Sequence, residues 1–207
     1  MTNTEKLLFN FRAGLGLMLV FTVLLGGGYP LLVAVFANLF FGESSVAPIA
    51  DKAQFHNAPS GSFITFNGNI IGSRLLGQNF TGDKYFWGRL SANNYDVKNS
   101  GGTNFSPANP KLLEAANARI AALQQADPEN KAKIPVELIT ASGSGLDPHI
   151  SLAAARYQIG RVSKARGMTA QELQKIVDEN IDMQSKLFGE PYINVLELNL
   201  MLDAVKK

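Results

Sequence analysis

Residues 13–42 read AGLGLMLVFTVLLGGGYPLLVAVFANLFFG, 30 consecutive positions without a formal charge between Arg12 and Glu43. Leu, Val and Phe dominate the stretch. A helix needs about 20 predominantly apolar residues to cross a hydrocarbon layer of roughly 30 Å, so this one spans with tilt or runs past one face. One buried soluble helix of that length would be unusual. A secretory signal has a shorter apolar core, about 7 to 15 residues, before a small-residue cleavage site. Here the run is longer, and Pro48 and Ile49 interrupt the small residues at 47–50. The stretch reads as an uncleaved single-pass anchor.

Orientation follows from the flanking charges. Lys6 and Arg12 precede the run, while Glu43 comes first on the other side and Lys52 lies further off. Positive residues prefer the cytoplasmic side. We therefore expect residues 1–12 to be a cytoplasmic N-terminus, 13–42 a transmembrane helix, 43–60 a linker of Ser, Ala, Pro and Gly without periodicity, and 61–207 one extracytoplasmic domain. About 165 residues after the anchor suffice for a real core. The net charge of +2 is spread along the chain, which argues against a polyanionic or nucleic-acid partner. The absence of cysteine excludes thiol catalysis, disulfides and Cys-based zinc sites. Two histidines, His56 and His149, argue against a His-rich metal site, and no metal is assigned.

Inside the anchor stands Gly26-Gly27-Gly28-Tyr29-Pro30. Pro30 removes a backbone donor and predicts a kink. The three glycines either form an incidental flexible turn or let a neighbouring helix pack closely, which makes residues 26–30 the candidate subunit interface.

Downstream, β-branched and aromatic residues flank Asn67-Gly68-Asn69, which predicts a β-hairpin over 62–73. Residues 91–109 read as a long polar loop. A helix should start at Pro110 with Asn109 as its cap, and its apolar stripe runs Leu112, Leu113, Ala116, Ile120 and Leu123. Residues 134–140 could be a strand or a helical turn. Ser151 caps a helix that Gly167 ends, and Thr169 with Glu172 forms a capping box for the next. The segment 194–205 alternates like a strand at Leu196, Leu198 and Leu200, yet Asn194 and Glu197 resemble a helix start, and helix is favoured. The fold class is α+β: one transmembrane helix, then a helix-rich domain with a small antiparallel sheet near its start.

Chemistry is harder to find. Residues 142–149 gather Ser142, Ser144, Asp147 and His149, the side chains of a hydrolase. A nucleophile elbow needs Gly two before and two after its serine, and neither serine has both. A tight Gly-Ser turn accounts for the letters, no catalytic residue is assigned, and an exported hydrolase using Ser144 and His149 stays the alternative. Ser100, Gly101, Gly102 and Thr103 could offer backbone donors to a phosphate, but the Lys of a Walker loop is missing.

Taken in order, these stretches resemble one family over nearly the full length: KdpC, the C chain of the Kdp potassium-transporting ATPase. The resemblance rests on Gly28-Tyr29-Pro30-Leu31, on Gly72-Ser73 before Leu76-Gly77-Gln78-Asn79-Phe80, and on Tyr85-Phe86 before Gly88-Arg89. It continues with Ser100-Gly101-Gly102 before Asn109-Pro110, with Ile134-Pro135-Val136-Glu137-Leu138, and with Thr140 through Ser151. It closes with Arg161-Val162 and Asn194-Val195 before Leu198-Asn199-Leu200. Leu90, Leu152, Thr103, Ser106 and Tyr192 depart from the family pattern, each in or beside a turn.

The resemblance implies a subunit without an active site of its own in a bacterial inner-membrane complex. Its partners would be a channel-like potassium-binding subunit, a P-type ATPase subunit and a small single-helix subunit. ATP and potassium would belong to that complex rather than to this chain. The resemblance further implies a catalytic chaperone that raises the ATP affinity of the pump subunit, with the loop at Ser100, Gly101, Gly102 and Thr103 likened to a nucleotide signature. ATP is cytoplasmic, whereas the charge rule exports that loop. Any effect on ATP affinity is therefore expected to be indirect.

Overall fold

The computed structural model describes residues 2–41, 44–50, 53–57, 62–66, 69–182 and 189–205. The chain begins with α1 (Asn3–Val23), a π-helical turn (Leu24–Gly28) and α2 (Tyr29–Phe41), following directly on one another. Of these, Phe9–Phe40 is long and apolar enough to cross a membrane, and none of that span is buried within the chain. Gly42 lies outside the described residues. Two polar side chains of the span bond to their own helix: Thr22 Oγ1 donates to the Met18 carbonyl (2.7 Å) and Asn38 Nδ2 to that of Ala34 (2.8 Å). The wide turn explains how the helix passes Pro30. A proline ring clashes with the carbonyl four residues back. Here the Tyr29 N–H reaches five residues back, to Leu24, so the turn is already widened where the ring must fit.

The stretch 43–60, read from its composition as a linker, instead carries β1 (Ser44–Ala50) and β2 (Ala53–Asn57). They pair antiparallel with a register shift between Val46 and Ala50. Ser, Ala and Pro hide the alternation that marks a strand, and the partner strand supplies the order that the local sequence lacks. The expected hairpin follows as β3 (Phe63–Phe66) and β4 (Asn69–Ser73), with Phe66 opposite Asn69. That register leaves the two-residue loop that an Asn-Gly pair favours, although Asn67 and Gly68 themselves lie outside the described residues. The four strands form one antiparallel meander. Ile64 of β3 is fully buried, packed with Leu196, Ile71 and Leu200.

Helices α3 (Pro110–Ala126), α4 (Leu152–Arg166), α5 (Ala170–Glu179) and α6 (Val195–Ala204) complete the domain. Their ends are where the sequence puts them. Asn109, Ser151, Thr169 and Asn194 each accept a backbone N–H as cap, and Gly167 closes α4 in the left-handed conformation (φ 64°). Residues 134–140 resolve to a 3-10 turn at Val136–Leu138, and 194–205 to helix. Of the α3 stripe, Leu123 is buried but Leu113 points outward. Two short strands not anticipated from sequence, β5 (His149–Ser151) and β6 (Tyr192–Asn194), pair antiparallel, and the last residue of each caps the helix that follows. The small second sheet thus launches α4 and α6 side by side.

The core contains a segment that is neither helix nor strand. Phe86 and Trp87 are buried, with no strand beside them to satisfy their backbone. Side-chain amides do that instead. Asn199 of α6 accepts from the Phe86 N–H (2.8 Å) and donates to the Phe86 carbonyl (3.0 Å). Gln158 of α4 does the same for Trp87 (2.8 and 3.0 Å). Arg161, also buried, donates to the carbonyls of Asp83 (2.6 Å) and Tyr85 (3.0 Å) and to Gln158 Oε1 (2.7 Å), with its guanidinium 4.4 Å over the Trp87 ring. An unsatisfied buried polar group costs about 1–3 kcal/mol. Asn199→Ala strands two, so it should lower stability by roughly 2–5 kcal/mol and the unfolding temperature by about 5–15 °C, read from near-UV circular dichroism of the detergent-solubilised chain.

Candidate functional site

Three loops interlock at one end of the core. The first is residues 100–103: the Gly101 N–H (2.8 Å) and the Ser100 hydroxyl (3.0 Å) both donate to the Ser144 carbonyl. The second is residues 141–149, tied to the third, residues 89–95, by the Ser142 N–H to the Leu90 carbonyl (2.9 Å) and by Arg89 to Asp147 (3.1 Å). Backbones approach so closely that glycine is needed. A Cβ on Gly145, whose φ is +70°, would lie 2.7 Å from Asn93 Oδ1 and 2.8 Å from the Gly101 carbonyl. One on Gly102 would lie 2.9 Å from the Gly143 carbonyl, and one on Gly77 2.6 Å from that of Asp147.

This geometry decides what the predicted residues do. Ser144 Oγ accepts from the Leu146 N–H (3.1 Å), a turn contact, and makes no hydrogen bond to His149. The His149 ring packs on Tyr192 (4.3 Å between centroids) and approaches Asp147 (3.7 Å). No nucleophile–base pair forms, and the hydrolase alternative loses its geometric basis. Of the phosphate-cradling candidates, Ser100 and Gly101 direct their donors to Ser144, while Gly102 and Thr103 continue the loop packed on residues 142–144. Among the described residues no cluster of three or more His, Asp or Glu could hold a metal. The candidate interface residues Gly26, Gly27, Gly28, Tyr29 and Pro30 occupy the π turn and the start of α2, all exposed. A Cβ on Gly26 or Gly27 would meet nothing within 4 Å.

A charged cluster borders the second sheet. Arg74 pairs with Glu197 (2.6 Å) and Asp182 (2.8 Å), linking β4, α6 and the residue bridged to β6. Burial raises the Glu197 carboxyl above its ordinary value, with Arg74 opposing. Burial lowers the proton affinity of His149, Asp147 pulls the other way, and Arg74 adds to the depression. Burial also brings Arg161 down to about 10, which leaves it charged near neutrality.

Sequence reading missed Gln158, Asn199, Arg89, Arg119 and Arg161 as architects. The signal was present for two of them. Gln158 sits within the buried stripe of α4, and Asn199 between Leu198 and Leu200. A polar residue on an apolar stripe needs an internal partner.

A family model described as "K+-transporting ATPase, c chain" matches residues 11–204. The chain is 44% identical to the potassium-transporting ATPase KdpC subunit of Herpetosiphon aurantiacus over 200 residues, 95% of this chain and 96% of that one. Its identity to the protein of the same name from Sorangium cellulosum is 44% over 97% of this chain and 100% of that one. For that of Ralstonia nicotianae it is 47% over 87% and 93%.

The histidine yields a test. A histidine that binds its proton less tightly when folded leaves the unfolded state with more protons, so stability falls as pH drops below about 6.5 and is unaffected well above it. His149→Phe keeps a ring against Tyr192 and removes that titration. The urea midpoint of the unaltered chain should fall more between pH 7.5 and pH 5.5 than that of the variant.

Proposed function

We infer the role of this chain from one premise: it belongs to the KdpC family, the c chains of K+-transporting ATPases. It is an accessory subunit for ATP-driven potassium uptake. We propose that it holds together a channel-like potassium-binding subunit and a P-type ATPase subunit, with a small single-helix subunit completing the assembly. In the same reading it acts as a catalytic chaperone, raising the ATP affinity of the pump subunit. The chain sits in the bacterial inner membrane with residues 1–12 in the cytoplasm and the α+β domain outside it, as Lys6 and Arg12 ahead of the span favour.

The observation that carries this reading is the span itself: no residue of Phe9–Phe40 is buried against the rest of the chain. Glycine in a helix interior costs about 1 kcal/mol relative to alanine. At positions 26 and 27 nothing in the chain itself requires that sacrifice. Close approach of a partner helix would. With ATP on the cytoplasmic face and the domain on the other, the effect on ATP affinity is a coupling between distant sites through a shared conformational equilibrium. Direct ATP contact by Ser100, Gly101, Gly102 and Thr103 has no part in it.

Two measurements test this. Replacing Gly27 and Gly28 together by Leu should leave membrane insertion intact and reduce recovery of the partner subunits on co-purification by about tenfold. Undiminished recovery would return the segment to a plain anchor. Alkaline phosphatase fused after Lys207 should be active in intact cells, and an inactive fusion would reverse the orientation and reopen direct ATP contact.

A further inference from the structure

A recess of about 130 Å³ lies against α3 and is lined by Asn79, Arg89, Asn94, Tyr95 and Arg119 among others. Its cations are incompletely matched. Arg89 Nη1 pairs with Asp147 (3.1 Å), but its Nε is shut off from solvent and donates to nothing. Arg119 gives Nε to the Leu138 carbonyl (3.1 Å) and Nη2 to that of Gly88 (3.0 Å), and no carboxylate among the described residues comes within ion-pair distance of it. Only one of the two guanidinium groups thus has a carboxylate partner, and a buried charged donor without an acceptor is a costly arrangement to keep.

The wall opposite is held in place at some conformational cost. Asn94 and Tyr95 are consecutive non-glycine residues in the left-handed region (φ 54° and 60°). The Tyr95 N–H donates to Ser91 Oγ (2.8 Å), the Tyr95 hydroxyl to the Arg89 carbonyl (2.5 Å), and Asn79 Nδ2 to Asn94 Oδ1 (2.8 Å). With its oxygen occupied, the exposed Asn94 has only N–H donors left to offer. Organic ligands take pockets of roughly 300–1,000 Å³, so this recess is too small for a nucleotide. It holds a few water-sized groups of about 30 Å³ each. We propose that the recess binds a single oxyanion group, a phosphate or a carboxylate, against the Arg119 guanidinium, whose Nη1 has no hydrogen-bond partner among the described residues, with the Asn94 carboxamide closing its outer side. Planar guanidinium donors suit such a group.

Trp87, the sole tryptophan, reports on the site because the Arg119 guanidinium lies 4.8 Å from its ring. The full chain in neutral detergent is titrated with sodium phosphate, sodium acetate or sodium chloride at constant ionic strength, following Trp87 fluorescence. A saturable change with phosphate or acetate and none with chloride is expected. Phosphate alone would identify a free or esterified phosphate, and acetate alone a carboxylate such as a neighbouring subunit's acidic side chain. Arg119→Gln should abolish the change. Should that variant fail to fold, Asn94→Asp decides: it still accepts the Asn79 bond, tolerates the left-handed backbone and adds a like charge, which should weaken binding at least about tenfold. No saturable change up to about 50 mM, an equal response to chloride, or an unchanged affinity in Asn94→Asp would overturn the proposal.

Discussion

Two carboxamides, each bonded to both backbone groups of one of two consecutive residues, hold this domain together. Phe86 and Trp87 bring the largest buried aromatic surface into the core, and aromatic burial dominates core energetics. Their backbone must come with them, and a backbone without strand or helix partners leaves four polar groups unpaired. Asn199 and Gln158 answer all four, each acting as a one-residue strand. Arg161 then gathers the carbonyls just upstream and stacks on the indole. Helices α4 and α6 are thereby locked to each other through a segment belonging to neither. Arg119 completes the arrangement from α3, over the same ring and on the Gly88 carbonyl.

The loop system rests on that frame. Gly88 and Arg89 leave the aromatic segment directly, and Arg89 carries the ion pair to Asp147. Asp147 also accepts the His149 N–H (3.0 Å), at the first residue of β5, and β5 delivers Ser151 as the cap of α4. The chain thus returns to the helix that supplies Gln158. Residues that suggested a hydrolase or a phosphate loop when read as letters are the joints of this circuit. Their donors go to neighbouring carbonyls because interlocked loops without secondary structure must satisfy their own backbone.

Legibility in the sequence divided along the same line. Helix ends were readable because caps are local: Asn109 with Pro110, Ser151, Gly167, the Thr169–Glu172 box and Asn194 all act within a few residues. The β3–β4 hairpin was readable for the same reason. The α+β class and the long apolar N-terminal helix followed from period and length. Strands β1 and β2 were not legible, since their order comes from pairing rather than from alternation, nor were β5 and β6, three residues each. Gln158 and Asn199 find their partners 71 and 113 positions away, and no local pattern encodes such a distance. Family resemblance reached the right assembly while leaving the work of these side chains unspecified.

The anchor poses the complementary problem, backbone groups that the chain does not satisfy by itself. The Tyr29 N–H reaches five residues back to Leu24, and the next residue, Pro30, has no N–H to give. One acceptor on the helix therefore lacks its backbone donor. In water that loss is small, but in hydrocarbon an unsatisfied peptide group costs several kcal/mol. Proline in membrane helices is tolerated where a neighbouring helix, a hydroxyl side chain or an ordered water restores the bond. The Thr22 hydroxyl on this helix already donates to the Met18 carbonyl, four residues toward the N-terminus. Bare glycine at 26 and 27 leaves the acceptor region open to a neighbour's side chain. The same five residues thus combine a missing backbone donor at Pro30 with open space beside Gly26 and Gly27.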